Sequence, residues 1–124
     1  MSAYNWISFD SDCPVCQRDT TIKAQTHVAS DYDGDDSGRF HDRLYRLGET
    51  MRWWPEQHPR FSEWKNEGFP NRSERRGDEC EEACYARCEA CGAKLCAVIE
   101  FRRMSPVRIL KLGLEDDWPD GYLR

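Results

Sequence analysis

Two short stretches carry the residue types best suited to chemistry. Residues 12–17 read DCPVCQ and residues 87–92 read RCEACG, so Cys13/Cys16 and Cys88/Cys91 each form a CxxC pair. Each pair can wrap a tight turn around one metal ion. Four thiolates suit a tetrahedral zinc with bonds of about 2.3 Å. Pro14 stiffens the first turn. Gly92 can take the positive φ with which a chain leaves the second. A lone CxxC says little, but two pairs, each beside a stretch that reads as a strand, point to one bound metal. Zinc, as a single structural ion held by Cys13, Cys16, Cys88 and Cys91, is the expectation. Iron in a tetrathiolate site is the alternative, because spacing does not choose the metal.

The order Cys-Pro-x-Cys, long insert, Cys-x-x-Cys-Gly, strand resembles the zinc-ribbon fold group, with the four cysteines on its two knuckles. The resemblance covers the knuckles and their flanking strands, about half the chain. It implies a metal and a knuckle geometry but no particular function, since such modules serve transcription, ribosomes, enzymes and protein docking alike. Here 71 residues separate Cys16 from Cys88, which implies an elaborated form.

These pairs must be positioned by elements whose pattern is mainly β. Residues 4–9, YNWISF, read as a first strand. Residues 20–30, TTIKAQTHVAS, read as a strand with Ile22, Ala24, Thr26 and Val28 on one face and a solvated face opposite. Leu44 and Leu47 mark a short strand or turn. Pro59 near its start and Gly68 as its stop delimit a short helix with Phe61 and Trp64 inside. Leu95, Ala97, Ile99 and Phe101 alternate with Cys96, Val98, Glu100 and Arg102 in the clearest strand of the chain. Residues 107–114, VRILKLGL, return as its hairpin partner, with Val107, Ile109 and Lys111 opposed to Arg108, Leu110 and Leu112. A longer loop is expected there because Pro106 cannot donate to a ladder. The expected fold is therefore mainly β with a short helix, a zinc-ribbon-like antiparallel sheet carrying an insert between the knuckles. By size, residues 1–124 make one domain, with the acidic and aromatic insert at 31–79.

Composition narrows the function classes. The chain is 39% hydrophobic and 33% charged. Such a chain folds more securely around a metal staple. A formal charge of −5 argues against a protein built mainly to grip phosphate backbones, while leaving room for a local basic patch. The start of the chain has no basic run followed by an apolar one, and no stretch approaches the roughly 20 apolar residues of a membrane span. A cytoplasmic location is expected, in which cysteine spacing means metal more than disulfide. The odd count of seven cysteines agrees.

Other constellations were weighed against plainer readings. Cys80, Cys84 and Cys88, spaced four apart, would stack on one face if helical and could feed a second metal with a histidine. The plainer reading is small thiols filling core space, and Cys96 fits that role as well. His27, His41 and His58 follow no ligand spacing. Asp31, Asp33, Asp35 and Asp42 fall on calcium-loop steps, but Asp36 stands where a sharp turn wants glycine, so a solvated acidic loop is preferred. No HExxH, no His-x-Glu of the deaminase kind, no glycine-rich phosphate loop and no GxSxG occurs, and no catalytic residue is assigned.

Binding remains. Trp53, Trp54, Phe61, Trp64 and Phe69 lie close together in the insert, more large aromatics than one short helix and two turns easily hide. Aromatics with interspersed arginine are the usual content of protein-binding hot spots. The expected partner surface is Trp53, Trp54 and Trp64 with Asp33, Asp35 and Asp36. The expected partner is a protein, with a basic one suited to the acidic loop, inhibited or neutralised in the manner of an immunity or adaptor protein. The alternative is nucleic acid on the C-terminal hairpin through Arg102, Arg103, Arg108 and Lys111.

Overall fold

The computed structural model describes residues 4–28, 43–52, 57, 59, 75–76 and 79–119, with backbone alone at 75–76 and 79–80. The expected helix at 59–68 lies outside the described residues but for residue 59, and the insert at 31–79 is described only at 43–52, 57, 59, 75–76 and 79. Seven strands form one sheet: β1 (Asn5–Asp12), β2 (Asp19–Thr26), β3 (Leu44–Arg46), β4 (Arg75–Arg76), β5 (Glu79–Cys88), β6 (Lys94–Arg102) and β7 (Ser105–Leu114). A 3-10 turn at Glu115–Asp117 follows. The order across the sheet is β3-β1-β2-β5-β6-β7, with β4 pairing β5. All pairings are antiparallel except β1 with β3. The mainly β, antiparallel-dominated architecture expected from the sequence is the one found.

Strand periodicity places the core. Ile7 and Phe9 on β1, Ile22, Ala24 and Thr26 on β2, and Tyr45 on β3 are buried. So are Glu82, Cys84, Ala86 and Cys88 on β5, and Leu95, Ala97, Ile99 and Phe101 on β6. Alternate residues point to one face of a pleated sheet. Most of these side chains therefore meet in a single apolar cluster, which Val28 and Met51 complete.

The sheet curls toward closure. Residues just beyond β3 reach the start of β7, at the opposite end of the strand order. The Gly48 amide donates to the Pro106 carbonyl at 2.6 Å, the Met51 amide to the Met104 carbonyl at 2.8 Å, and the Ser105 hydroxyl to the Glu49 carbonyl at 3.0 Å. Edge groups that would otherwise offer a pairing template are thereby used.

Two local expectations change, and two points left open by the sequence are decided. Residues 80–88 are strand, so the helical stacking weighed for a second metal does not arise, and strand alternation sends Cys84 and Cys88 to one face as core thiols. Tyr45, not Leu44 or Leu47, is the buried residue of β3; Leu44 and Leu47 are exposed. The β6–β7 connection is not a longer loop but two residues, Arg103 and Met104, because both accept positive φ (51° and 67°) as a primed hairpin turn demands. Register shifts between Val98 and Ile99 and between Glu100 and Phe101 break the strict alternation read for β7. Ile109 and Leu112, rather than one unbroken alternate set, pack toward the core.

A candidate metal centre at the two knuckles

The β1–β2 and β5–β6 turns hold the two CxxC pairs, and the pairing of β2 with β5 brings them together. Ile22 stands opposite Cys88 in that register. The two turns are near copies. In the first, the Cys13 amide donates to the Arg18 carbonyl at 2.9 Å and the Gln17 amide to the Cys13 carbonyl at 2.9 Å. In the second, the Cys88 amide donates to the Ala93 carbonyl at 3.1 Å and the Gly92 amide to the Cys88 carbonyl at 2.8 Å. Gln17 (φ 61°) and Gly92 (φ 73°) occupy equivalent left-handed positions. Glycine takes that conformation freely, whereas glutamine does so against its Cβ.

The four sulfurs lie within 4.8 Å of one another. Cys13 Sγ is 3.8 Å from Cys91 Sγ, and Cys16 Sγ is 3.9 Å from Cys88 Sγ. Four thiolates bonded at about 2.3 Å to a central tetrahedral ion stand about 3.8 Å apart. The donor set therefore fits one ion, with every ligand a thiolate. Cys13 and Cys88 are buried, Cys16 is half-buried and Cys91 is exposed.

Backbone amides prepare these sulfurs for charge. Val15 and Cys16 N–H groups point at Cys13 Sγ at 3.3 and 3.4 Å, and the Cys91 N–H points at Cys88 Sγ at 3.4 Å. The Cys16 amide is the main reason the Cys13 thiol is lowered to about 6, with burial opposing and the Val15 amide adding. At Cys88, burial resists ionisation, but the amides of Cys91 and Ala90 outweigh it and lower the pKa. At Cys91 the Ala93 amide favours the thiolate, yet burial and the neighbouring thiols push the group up to about 11. The knuckles accommodate the first negative charges and resist the last. A multivalent cation removes that conflict.

The other expected residues fare differently. Cys96 is buried against Ala83, Val98 and Trp118 on the opposite side of the sheet from the main core. Cys84 is buried in the core, where its thiol donates to Glu82 Oε1 at 3.2 Å. Among the described residues only the four knuckle cysteines form a potential metal cluster. Asp33, Asp35, Asp36, Trp53, Trp54 and Trp64 lie outside the described residues. Arg102 and Arg108 bracket the Glu100 carboxylate at 3.2 and 3.0 Å. Arg103 sits in the exposed turn, and Lys111 faces Val98 across the ladder.

Glu82 escaped the sequence reading. It is fully buried, and its carboxylate accepts the Thr26 hydroxyl at 2.5 Å and the His27 amide at 2.9 Å. His27 Nδ1 lies 3.6 Å away. Hydrogen bonding to Glu82 raises the His27 pKa, with partial burial opposing and Coulombic attraction adding. Only its position in an alternating strand, on the face of Cys84 and Cys88, could have marked Glu82 as inward-facing. No helix among the described residues is long and apolar enough to cross a membrane. No protein-family model, curated protein or solved structure matches this chain.

Proposed function

We propose that this chain is a non-catalytic recognition module stapled by one structural zinc ion. The observation that carries the reading is the sulfur geometry: two S···S edges of 3.8 and 3.9 Å within a four-cysteine cluster. A set of four thiolates closes a tetrahedral ion, whereas a catalytic zinc keeps a position for water or substrate. The all-sulfur donor set favours zinc or iron over harder cations. Elemental analysis combined with native mass measurement tests the proposal. One zinc per chain, lost when both CxxC pairs are replaced, is expected. A folded protein whose zinc survives that replacement refutes it.

The recognition half of the proposal keeps a protein as the partner expected for the insert, met by Trp53, Trp54 and Trp64 and by the charges of Asp33, Asp35 and Asp36. Truncating a tryptophan at a buried interface centre costs about 2 kcal/mol or more of binding. Pairing a melt with a binding titration for Trp53→Ala and Trp54→Ala separates an interface role from a core role. Loss of stability without loss of intrinsic affinity assigns both tryptophans to the insert's own core.

A further inference from the structure

The outward face of the sheet carries two adjacent rows of side chains that differ in kind. Register places Arg46 beside Ser8, Ser8 beside Lys23, Lys23 beside Arg87, and Arg87 beside Lys94. Four cations thus cross five strands in one line, on the face opposite the core. At about 4.8 Å per strand the line is about 19 Å long. Two residues along each strand, about 6.8 Å away, runs the second row. It contains Trp6 beside Gln25 and, in the next strand, Tyr85. Trp6 meets Tyr4 edge-on at 5.3 Å, and Tyr85 lies against Trp118 at 4.9 Å. An aromatic pair therefore stands on each side of Gln25. Between them opens a pocket of about 220 Å³ lined by Trp6, Gln25, Tyr85, Ala86, Lys94 and Glu115. The Lys23 ammonium sits 4.6 Å from the Trp6 ring centre, tying the two rows together.

We propose that this outward face of β1, β2, β5 and β6 binds single-stranded nucleic acid, bases on the aromatic row and phosphates on the cationic row. The proposal rests on reading the chain as a recognition module and names the partner of its sheet. Unpaired bases offer π-faces that aromatic side chains stack on, which a duplex hides. A line of cations beside the stack follows the backbone. An acidic peptide would satisfy the cations but leave two aromatic pairs without matching planar groups. Acidic residues bound the site: Glu89 lies 4.0 Å from Arg87, Asp10 accepts the Thr21 hydroxyl one row nearer the knuckles, and Glu115 lines the pocket. Against a net charge of −5, the attraction of this face for phosphate comes from this local row, so affinity must be strongly salt-dependent.

The test is fluorescence anisotropy on the full zinc-loaded chain. The probes are labelled oligo-dT and oligo-U of about a dozen nucleotides, a duplex of the same length, and an oligo-glutamate peptide. Three to four neutralised phosphates predict a 20- to 50-fold weakening, to order of magnitude, between 50 and 200 mM salt. Arg87→Glu with Lys94→Glu, both at exposed positions, should abolish the salt-dependent part. Tyr85→Leu should weaken binding by about 5- to 150-fold and leave the salt slope unchanged. Zinc content and melting of each sample are read alongside. A wild-type chain without zinc or a cooperative melt defeats the stapled-module reading. A folded, zinc-loaded chain that binds no oligonucleotide overturns the platform. So does duplex binding equal to single-strand binding, or capture of the acidic peptide alone. Binding lost in Arg103→Glu with Lys111→Glu but kept in the Arg87 and Lys94 variant overturns it as well.

Discussion

At the scale of single residues, the two knuckles form an internal comparison. Gln17 and Gly92 hold the same left-handed conformation at the same step of the turn. Replacing Gln17 with glycine relieves a Cβ penalty of about 1 kcal/mol and should stabilise the protein by up to that amount. Gly92→Ala should cost a similar amount through φ alone, because an added Cβ meets nothing within 4 Å. Denaturant midpoints at unchanged slope would show both effects. The cysteines give a second contrast. Cys88→Ser removes one of four ligands, so zinc affinity and cooperative melting should fall together. Cys96→Ser buries a hydroxyl near Ala83 and Val98, costs about 1–3 kcal/mol, and leaves zinc content at one per chain. Equal zinc loss at both positions would contradict this assignment.

At the scale of elements, β2 and β5 are joined by more than their ladder. Glu82 of β5 takes three donors, the Thr26 hydroxyl, the His27 amide and the Cys84 thiol. Glu82→Gln replaces one accepting oxygen with an NH2 group facing donors, and a loss of about 1–3 kcal/mol is expected in chemical denaturation. The His27–Glu82 pair adds a pH dependence whose sign follows from linkage. The folded-state pKa of His27 is raised above its ordinary value of 6.5. Its contribution to stability is therefore complete below the unfolded pKa and disappears as pH rises through the folded value. His27→Gln should flatten the stability profile across that window. An NMR titration in which His27 ionises at or below its ordinary value would remove the basis for this expectation.

At the scale of the whole molecule, metal removal is the decisive perturbation. The knuckles lie far apart in sequence, and an ion held by the four cysteines would join them as a cross-link whose free energy of binding is also free energy of folding. Chelation should lower the melting temperature and broaden the transition. Acidification should do the same, since protons compete for the thiolates. Much of this was legible in the sequence. The CxxC spacing named all four cysteines of the cluster, because a knuckle is a local turn with a local signature. The alternation in residues 95–101 named a core strand, because burial on one face leaves a period of two. What stayed hidden depends on registers between distant strands. The row of Arg46, Lys23, Arg87 and Lys94 draws on four strands, and no sequence window contains it. Along the sequence the cations of the C-terminal hairpin stand out instead, and there the ion pairs of Arg102 and Arg108 with Glu100 are invisible to composition. The spacing of Cys80, Cys84 and Cys88 could not by itself choose an element, because cysteines four apart share a face in a strand as well as in a helix.

The narrowness of one junction has a further consequence. β1–β2 and β5–β6 are each paired over eight residues, whereas β2 meets β5 over three, Ile22–Ala24 against Ala86–Cys88. The thiolate cluster clamps one end of that seam and Glu82 the other. Amide exchange should expose this as a fault line. With metal bound, the amides along the seam should exchange only with global unfolding. Without it, they should exchange through a partial opening of this seam, while the contacts of residues 48–51 with 104–106 hold the far side and each hairpin keeps its own protection. The protein would then respond to metal scarcity or thiol oxidation by opening along one seam, before it unravels as a chain.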